Sequence, residues 1–435
     1  MDQEIVNRGK IVTAAGTGIN LALGVLYTWS IFKGAIKQSI DTGGPGAFTW
    51  NLETLNDPYA VCCLVFAFMM IVAGKCQDTL GPRITAIIGG LLVGVGFIWI
   101  SQTTAYLAWV LGFGVLVGTG IAFGYSSATP PALKWFPPSQ TGRIAGIVVA
   151  GFGLASVYIA PLAKYLLGTW GLQRSMLFFG ISFLAIVSLL ALLLQNPPEG
   201  FTPTNFTDRR GKCEASKKAR AIFEDLNLSP LGIIKTPTFW LLWLLYFIGA
   251  GAGLMVIGSV AGMAKNSLGT NAFVAVALLA VGNAGGRVAA GVLSDKIGRA
   301  KTLAGMFLFQ ALLMFAAIPI VGGSAAGPLL LVLLATLIGF NYGSNLALFP
   351  SFAKDLWGIK NFGVNYGILF TAWGVGGFVM SRASQWLTAD TGSFTNSFLT
   401  AGVLLLAGSG LTFLIKDHKA ILRKRIARQI AAQAA

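Results

Sequence analysis

The chain is organised by long runs without Asp, Glu, Lys or Arg, separated by short polar stretches. Such runs cover 11–32, 58–74, 84–133, 144–163, 175–198, 236–264, 302–353, 361–381 and 391–415. A helix needs about 20 apolar residues to cross roughly 30 Å of hydrocarbon, so most runs amount to one crossing. The two longest, interrupted at 101–106 and at the glycine-rich 321–328, amount to two each, and 266–294, with a single arginine inside it, adds one more. The pattern predicts twelve membrane helices at 11–32, 58–76, 84–102, 105–130, 143–166, 173–195, 237–264, 272–293, 301–321, 327–350, 362–386 and 394–415. The first run lacks a small-residue cleavage site before the next span, so it is expected to stay as a helix rather than act as a secretion signal.

Composition agrees. The 435 residues are 55% hydrophobic and 11% charged, against about 25% charged in soluble domains, which indicates an all-α, polytopic membrane protein. Enzyme chemistry finds no support: no midspan acid–base pair, no phosphate loop and no His/Cys/Asp cluster is present, so neither metal nor cofactor is expected. Cys62, Cys63, Cys76 and Cys213 read as apolar filler and one linker thiol.

The net charge of +16 follows from topology. With both termini cytoplasmic, 24 of the 31 Lys and Arg fall on that side, as the enrichment of basic residues in cytoplasmic loops requires. Lys33, Lys37, Lys164, Arg174, Lys265 and Arg382 fall outside, and Arg287 falls on neither side. The basic tail 416–435 reads as a cytoplasmic helix against anionic lipid rather than a nucleic-acid site. A monomer in the inner (cell) membrane of a bacterium is expected.

An internal repeat is visible. Gly74, Asp78 and Gly81 reappear as Gly291, Asp295 and Gly298, a shift of 217 that also relates Phe123, Tyr125 and Gly146 to Phe340, Tyr342 and Gly363. Six spans per copy place both copies in the same orientation. The expected division is an N-terminal six-helix half 1–195, a hydrophilic linker 196–236 acting as a flexible cytoplasmic cover, a C-terminal half 237–415 and the tail.

The repeated G-x-x-x-D-x-x-G-[PR] after the second and eighth spans resembles the signature of the major facilitator superfamily. LALGVLYTWSIF in the first span, KWFPP with Gly142-Arg143 after the fourth, N-x-x-x-R in the eighth and NYGILF in the eleventh resemble the oxalate/formate antiporter family and bacterial monocarboxylate carriers. The resemblance covers nearly the whole chain, more loosely in 38–58 and in the linker. It implies a major facilitator fold of two pseudo-symmetric six-helix halves and alternating-access transport of small carboxylates. It also implies that Asp78 and Asp295 pair with a basic residue and a neighbouring helix N-terminus to hold the inner side shut. Plain helix capping is the simpler role for both.

Arg287 lies eight residues before Asp295, about 12 Å at helical rise, and so near the midplane. A charge there costs at least about 2.5–3.5 kcal/mol unless it is compensated. All 15 Asp and Glu fall in loops, tails or span ends, and the one histidine, His418, is in the tail. A substrate carboxylate would supply the missing charge and match the guanidinium fork; the alternative is an arginine held by backbone carbonyls and hydroxyls as a packing device. Asn283, one turn earlier, shares its face, while Tyr125 and Tyr342 reach mid-membrane. Tyr27, Asn345, Trp373, Asn341 and Tyr366 are weaker substrate-site candidates.

The reading is a carrier of small monocarboxylates of the lactate, pyruvate or formate class, by proton symport or anion exchange, with protons as a second partner in the first case. An oxalate/formate-type dicarboxylate exchanger and a non-transporting carboxylate sensor are the alternatives. By resemblance, eukaryotic carriers have an aspartate where this chain has Asn283, and oxalate carriers have a second cavity lysine where it has Trp373. The stripes Gly282–Gly286–Ala290 and Gly114–Gly118–Ala122 are expected to let helices approach and slide.

Overall fold

The computed structural model describes residues 7–198, 201, 227–268, 272–322, 327–389 and 393–415. The tail, His418, Cys213 and most of the linker lie outside them. Among the described residues, eleven helical segments are long and apolar enough to cross a membrane. One of them, Thr141–Ala191, is two helices joined at Gly171, whose φ of 74° is non-helical, so the chain crosses twelve times. The crossings are α1 (Gly9–Thr42), α2 (Asp57–Leu80), α3 (Pro82–Ile100), α4 (Tyr106–Lys134), α5 (141–170) and α6 (172–191) in the first half. The second half holds α7 (Pro237–Leu268), α8 (Ala272–Ile297), α9 (Arg299–Gly322), α10 (Pro328–Trp357), α11 (Phe362–Ala389) and α12 (Thr395–Leu411).

The apolar residues divide between two environments. Phe68, Val72, Leu91, Leu189 and Leu312 point outward and are about half exposed or more, as side chains facing lipid tails should be. Phe66, Phe152, Phe370 and Trp373 point inward and are buried. They fill the space where the halves meet. Such a multi-pass arrangement leaves each backbone bond satisfied within its own helix, as hydrocarbon demands.

Two local features depart from the sequence reading. α1 runs ten residues past its expected end, through Lys33 and Lys37, and stops at Gly43, where φ is 67°. Lysines end an apolar run without ending a helix, because their stems cover apolar surface while the ammonium stays wet. Within it, Gly24–Thr28 tightens to a 3₁₀ turn. The shortened loop before α2 then folds over the first half: the Trp50 indole donates to the Thr104 carbonyl (2.7 Å), and Phe48, Trp50 and Trp109 meet edge to face.

The halves meet along two helix pairs. At the α2–α11 crossing a Cβ on Gly74 would collide with the Gly363 carbonyl, and at the α5–α8 crossing a Cβ on Gly291 would collide with that of Gly142. One turn deeper, Gly367 sits against the Met70 carbonyl and Gly146 against that of Arg287. Deeper again, Gly374 meets Ala67 and Gly153 meets Ala284. These contacts pair Gly142, not Gly146, with Gly363, so the shift is 217 for the α2/α8 pair but 221 for the α5/α11 pair. A four-residue offset is about one helical turn, which keeps the same face toward the partner and hides the change in a sequence comparison.

The small-residue stripes let helices approach closely, as expected. Gly282 and Gly286 lie against the Thr336 and Phe340 carbonyls of α10, and Gly118 against Cys62 of α2. All three contacts lie inside one half. They bring helices of the same half together rather than helices of opposite halves.

Candidate functional site

The α5–α8 crossing carries the arginine. Arg287 is fully buried; its Nε donates to Asn283 Oδ1 at 2.9 Å, and Nη1 donates to the Val149 carbonyl of α5. Asn283 therefore does orient the guanidinium, and part of the packing alternative is real, since a backbone carbonyl holds one prong. Nη2 is buried and has no partner. Hydrogen bonds to a charged group are worth about 1.5–3 kcal/mol each, while desolvating an ion costs several kcal/mol even after relaxation. Two bonds offset much of that cost but leave Nη2 unsatisfied and the charge without a counter-ion among the described residues. Among the described residues no Asp or Glu pairs with it; the ion pairs there join Arg299 to Asp295 and to Asp355 near the helix ends.

Aromatic groups from both halves surround this point. The Tyr342 hydroxyl accepts from the Trp373 indole at 2.8 Å and lies 3.2 Å from the hydroxyl of half-buried Tyr27. These three expected residues form one chain across α10, α11 and α1. Tyr125 is placed differently from its repeat mate. Its ring packs edge-on against Phe66 and Phe152, at 5.6 and 5.5 Å, while its hydroxyl makes no well-formed hydrogen bond. The hydroxyls of Tyr246 and Tyr366 lie close to it and are likewise unsatisfied. Arg287 is near enough for its charge to act on Tyr125, Tyr246 and Tyr342.

Asn345 and Asn341 are not brought to the guanidinium by any contact. Asn345 donates to the Asn341 carbonyl of its own helix and packs at Gly249 of α7; Asn341 donates to the Leu337 carbonyl. Both keep a buried, unpartnered Oδ1. The sequence reading missed Phe66, Phe152, Phe370, Tyr246 and the Val149 carbonyl. The repeat would have pointed to Phe66, which stands 217 residues before Asn283, whereas a backbone acceptor leaves no trace in residue identity.

Asp78 and Asp295 occupy matching places. Asp295 accepts from the Gly142 and Arg143 N–H groups at 2.9 and 2.8 Å and pairs with Arg299 at 2.7 Å. Asp78 accepts from the Gly363 and Val364 N–H groups, both at 3.0 Å. Each carboxylate from one half thus caps a helix of the other, where unsatisfied N–H groups and the helix dipole favour an anion. Lys75 and Lys134 are near Asp78, but among the described residues it makes no ion pair. Linker residue Asn227 binds the same region, its Oδ1 accepting from Ile359 and Lys360 N–H just before α11.

Comparison with known proteins agrees with the fold. The family model described as Major Facilitator Superfamily matches residues 14–380. The chain is 25% identical to the oxalate:formate antiporter of Oxalobacter formigenes, over 90% of this chain and 88% of that one. It is 28% identical to human monocarboxylate transporter 11, over 92% of this chain and 81% of the relative. Among solved structures, the proton:xylose symporter XylE superposes with a TM-score of 0.70 at 17% identity, covering 94% of this chain and 97% of that one; at that identity the likeness concerns the fold.

Proposed function

The chain belongs to the Major Facilitator Superfamily and is a multi-pass membrane transporter, not an enzyme; on that premise we propose that it carries small monocarboxylates by alternating access, with Arg287 as the carboxylate site. The observation that carries the reading is the unpartnered, buried Nη2 of Arg287 in a region without a described carboxylate. A substrate carboxylate taking Nη2 would cancel the charge, and a tyrosine hydroxyl such as that of Tyr125 is free to donate to it. The printed names of the relatives, an oxalate:formate antiporter and a monocarboxylate transporter, support the carboxylate class.

The cycle follows from the two crossings. Asp78 and Asp295 clamp the face that carries the α2–α3 and α8–α9 loops, and in this reading that face is cytoplasmic, with both termini on it, in a bacterial cell membrane. Opening there requires both carboxylates to leave their caps while the halves rock apart. Neutralising Arg287 lowers the cost of passing through a closed, desolvated centre. Trp373 presents an indole rather than a second cation, so a dianion would leave one charge unmatched, at several kcal/mol. That favours monoanions over oxalate.

Purified protein in proteoliposomes, given labelled lactate, pyruvate, formate and oxalate with and without a pH gradient, tests the proposal. Saturable uptake of a monocarboxylate is the expected result, and the response to the gradient separates symport from exchange. Saturable binding without uptake would make the protein a sensor. Oxalate uptake equal to that of the monocarboxylates would overturn the charge-counting argument.

A further inference from the structure

Resting on Arg287 as the carboxylate site, we propose that Phe66 is the residue that decides which non-carboxylate end of the substrate is accepted. The matched contacts at the two crossings set Ala67 against Gly374 where Ala284 meets Gly153, and Met70 against Gly367 where Arg287 meets Gly146. Phe66 on α2 therefore occupies the place that Asn283 holds on α8. What is a hydrogen-bonded arginine in one half is an apolar wall in the other.

The ring contacts make Phe66 the hub of that wall. It meets Tyr125 of α4 at 5.6 Å, Phe152 of α5 at 6.0 Å, and Phe370 and Trp373 of α11 at 5.0 and 5.5 Å. It is 1% exposed, and a phenyl ring has no group to give a polar ligand. Phe152 connects the two sides, because its ring lies 6.0 Å from that of Phe66 while a Cβ on the next residue, Gly153, would stand 3.3 Å from Arg287 Nε. A small acid held at Arg287 thus turns its other end toward Phe66. Trp373 and Phe370 are stacked on each other, at 5.0 Å and 23°, and Trp373 is anchored through Tyr342. A cut at Phe66 accordingly leaves space that these neighbours do not fill.

The test is a ratio measured in proteoliposomes: uptake of labelled 4-methyl-2-oxopentanoate over uptake of labelled pyruvate, for wild type, Phe66→Leu, Phe66→Ala and Phe113→Ala. Hydrophobic pockets discriminate about 10–200-fold per methylene, so Phe66→Ala should raise the ratio about tenfold or more, with Phe66→Leu in between. Phe113, buried against Trp29 and Phe97, is the control, and its variant should keep the wild-type ratio. A ratio is insensitive to how much variant protein folds, and Phe66→Leu keeps the test open if the alanine variant fails. An unchanged ratio in both Phe66 variants, with pyruvate uptake by wild type intact, overturns this inference alone. A wild type that moves neither acid overturns the carboxylate reading and this inference together.

Discussion

The α2–α11 and α5–α8 crossings are the same contact built twice, with different chemistry at the centre. Both are closed by glycines against a carbonyl and latched by an aspartate on the partner helix N-terminus. One centre then holds Met70 and Phe66, the other Arg287 and Asn283. Under the proposed alternating-access cycle, the difference assigns motion to the duplicated parts and recognition to the divergent ones. Gate contacts must match, because two halves that rock about one axis need equivalent pivots. A carboxylate has one charge, so a second arginine at Met70 would face like charge in a low-dielectric interior.

Erasing the difference should have the largest effect. The double substitution Arg287→Met with Asn283→Phe makes the two centres alike, and should lower uptake by about 100-fold or more, the equivalent of losing a charge-assisted contact of about 2.7 kcal/mol. Removing a buried charge offsets part of the cost of a larger side chain at buried Asn283, and uptake is therefore compared per amount of folded protein. Uptake within a few-fold of wild type would show that the asymmetry has no part in recognition.

The latches differ by one ion pair, which makes the next comparison. Asp295→Asn loses both the cap charge and the pair with Arg299, and should shift an introduced cysteine on the latched face toward reaction with thiol reagents by about tenfold, or roughly 1.4 kcal/mol. Asp78→Asn loses the cap charge and, in place of an ion pair, only a longer-range attraction to Lys134 and Lys75, and should move it by about twofold to fivefold, at roughly 0.3–1 kcal/mol for a charge at a helix terminus. Equal shifts would mean that the Arg299 pair contributes nothing to closure. The smallest effect is expected at Tyr342→Phe. It breaks two hydrogen bonds between neutral protein groups, neither of them made to the substrate itself, and so should raise KM only about twofold with kcat little changed; an unaltered KM would place the Tyr27–Tyr342–Trp373 chain outside the site.

Much of this was legible in residue order, because hydrocarbon imposes composition on every span. The breaks at 101–106 and 321–328 fall between α3 and α4 and between α9 and α10, and the turn at Gly171 falls between the expected fifth and sixth spans. Arg287 stood out because a lone charge at midspan is costly wherever it lies. Phe66 did not, since an aromatic in an apolar run looks the same whether its ring meets helices of the other half or only those of its own. Gly146 was paired with the wrong glycine because a shift of one full turn preserves the facing side. Val149 was invisible, as its contribution is a carbonyl that every residue possesses.

The central claim is that a bound monocarboxylate completes the coordination of Arg287. Its most direct measurement is thermal unfolding of the purified protein with increasing lactate or pyruvate, for wild type and Arg287→Lys. An ammonium keeps the charge but lacks the fork that joins Asn283, the Val149 carbonyl and a carboxylate. At a ligand concentration of 100 Kd, wild type should gain about 2.7 kcal/mol in a saturable manner, and the lysine variant should gain little at the same concentration. Equal, saturable stabilisation of both proteins would contradict the account, because the carboxylate would then be bound somewhere other than Arg287.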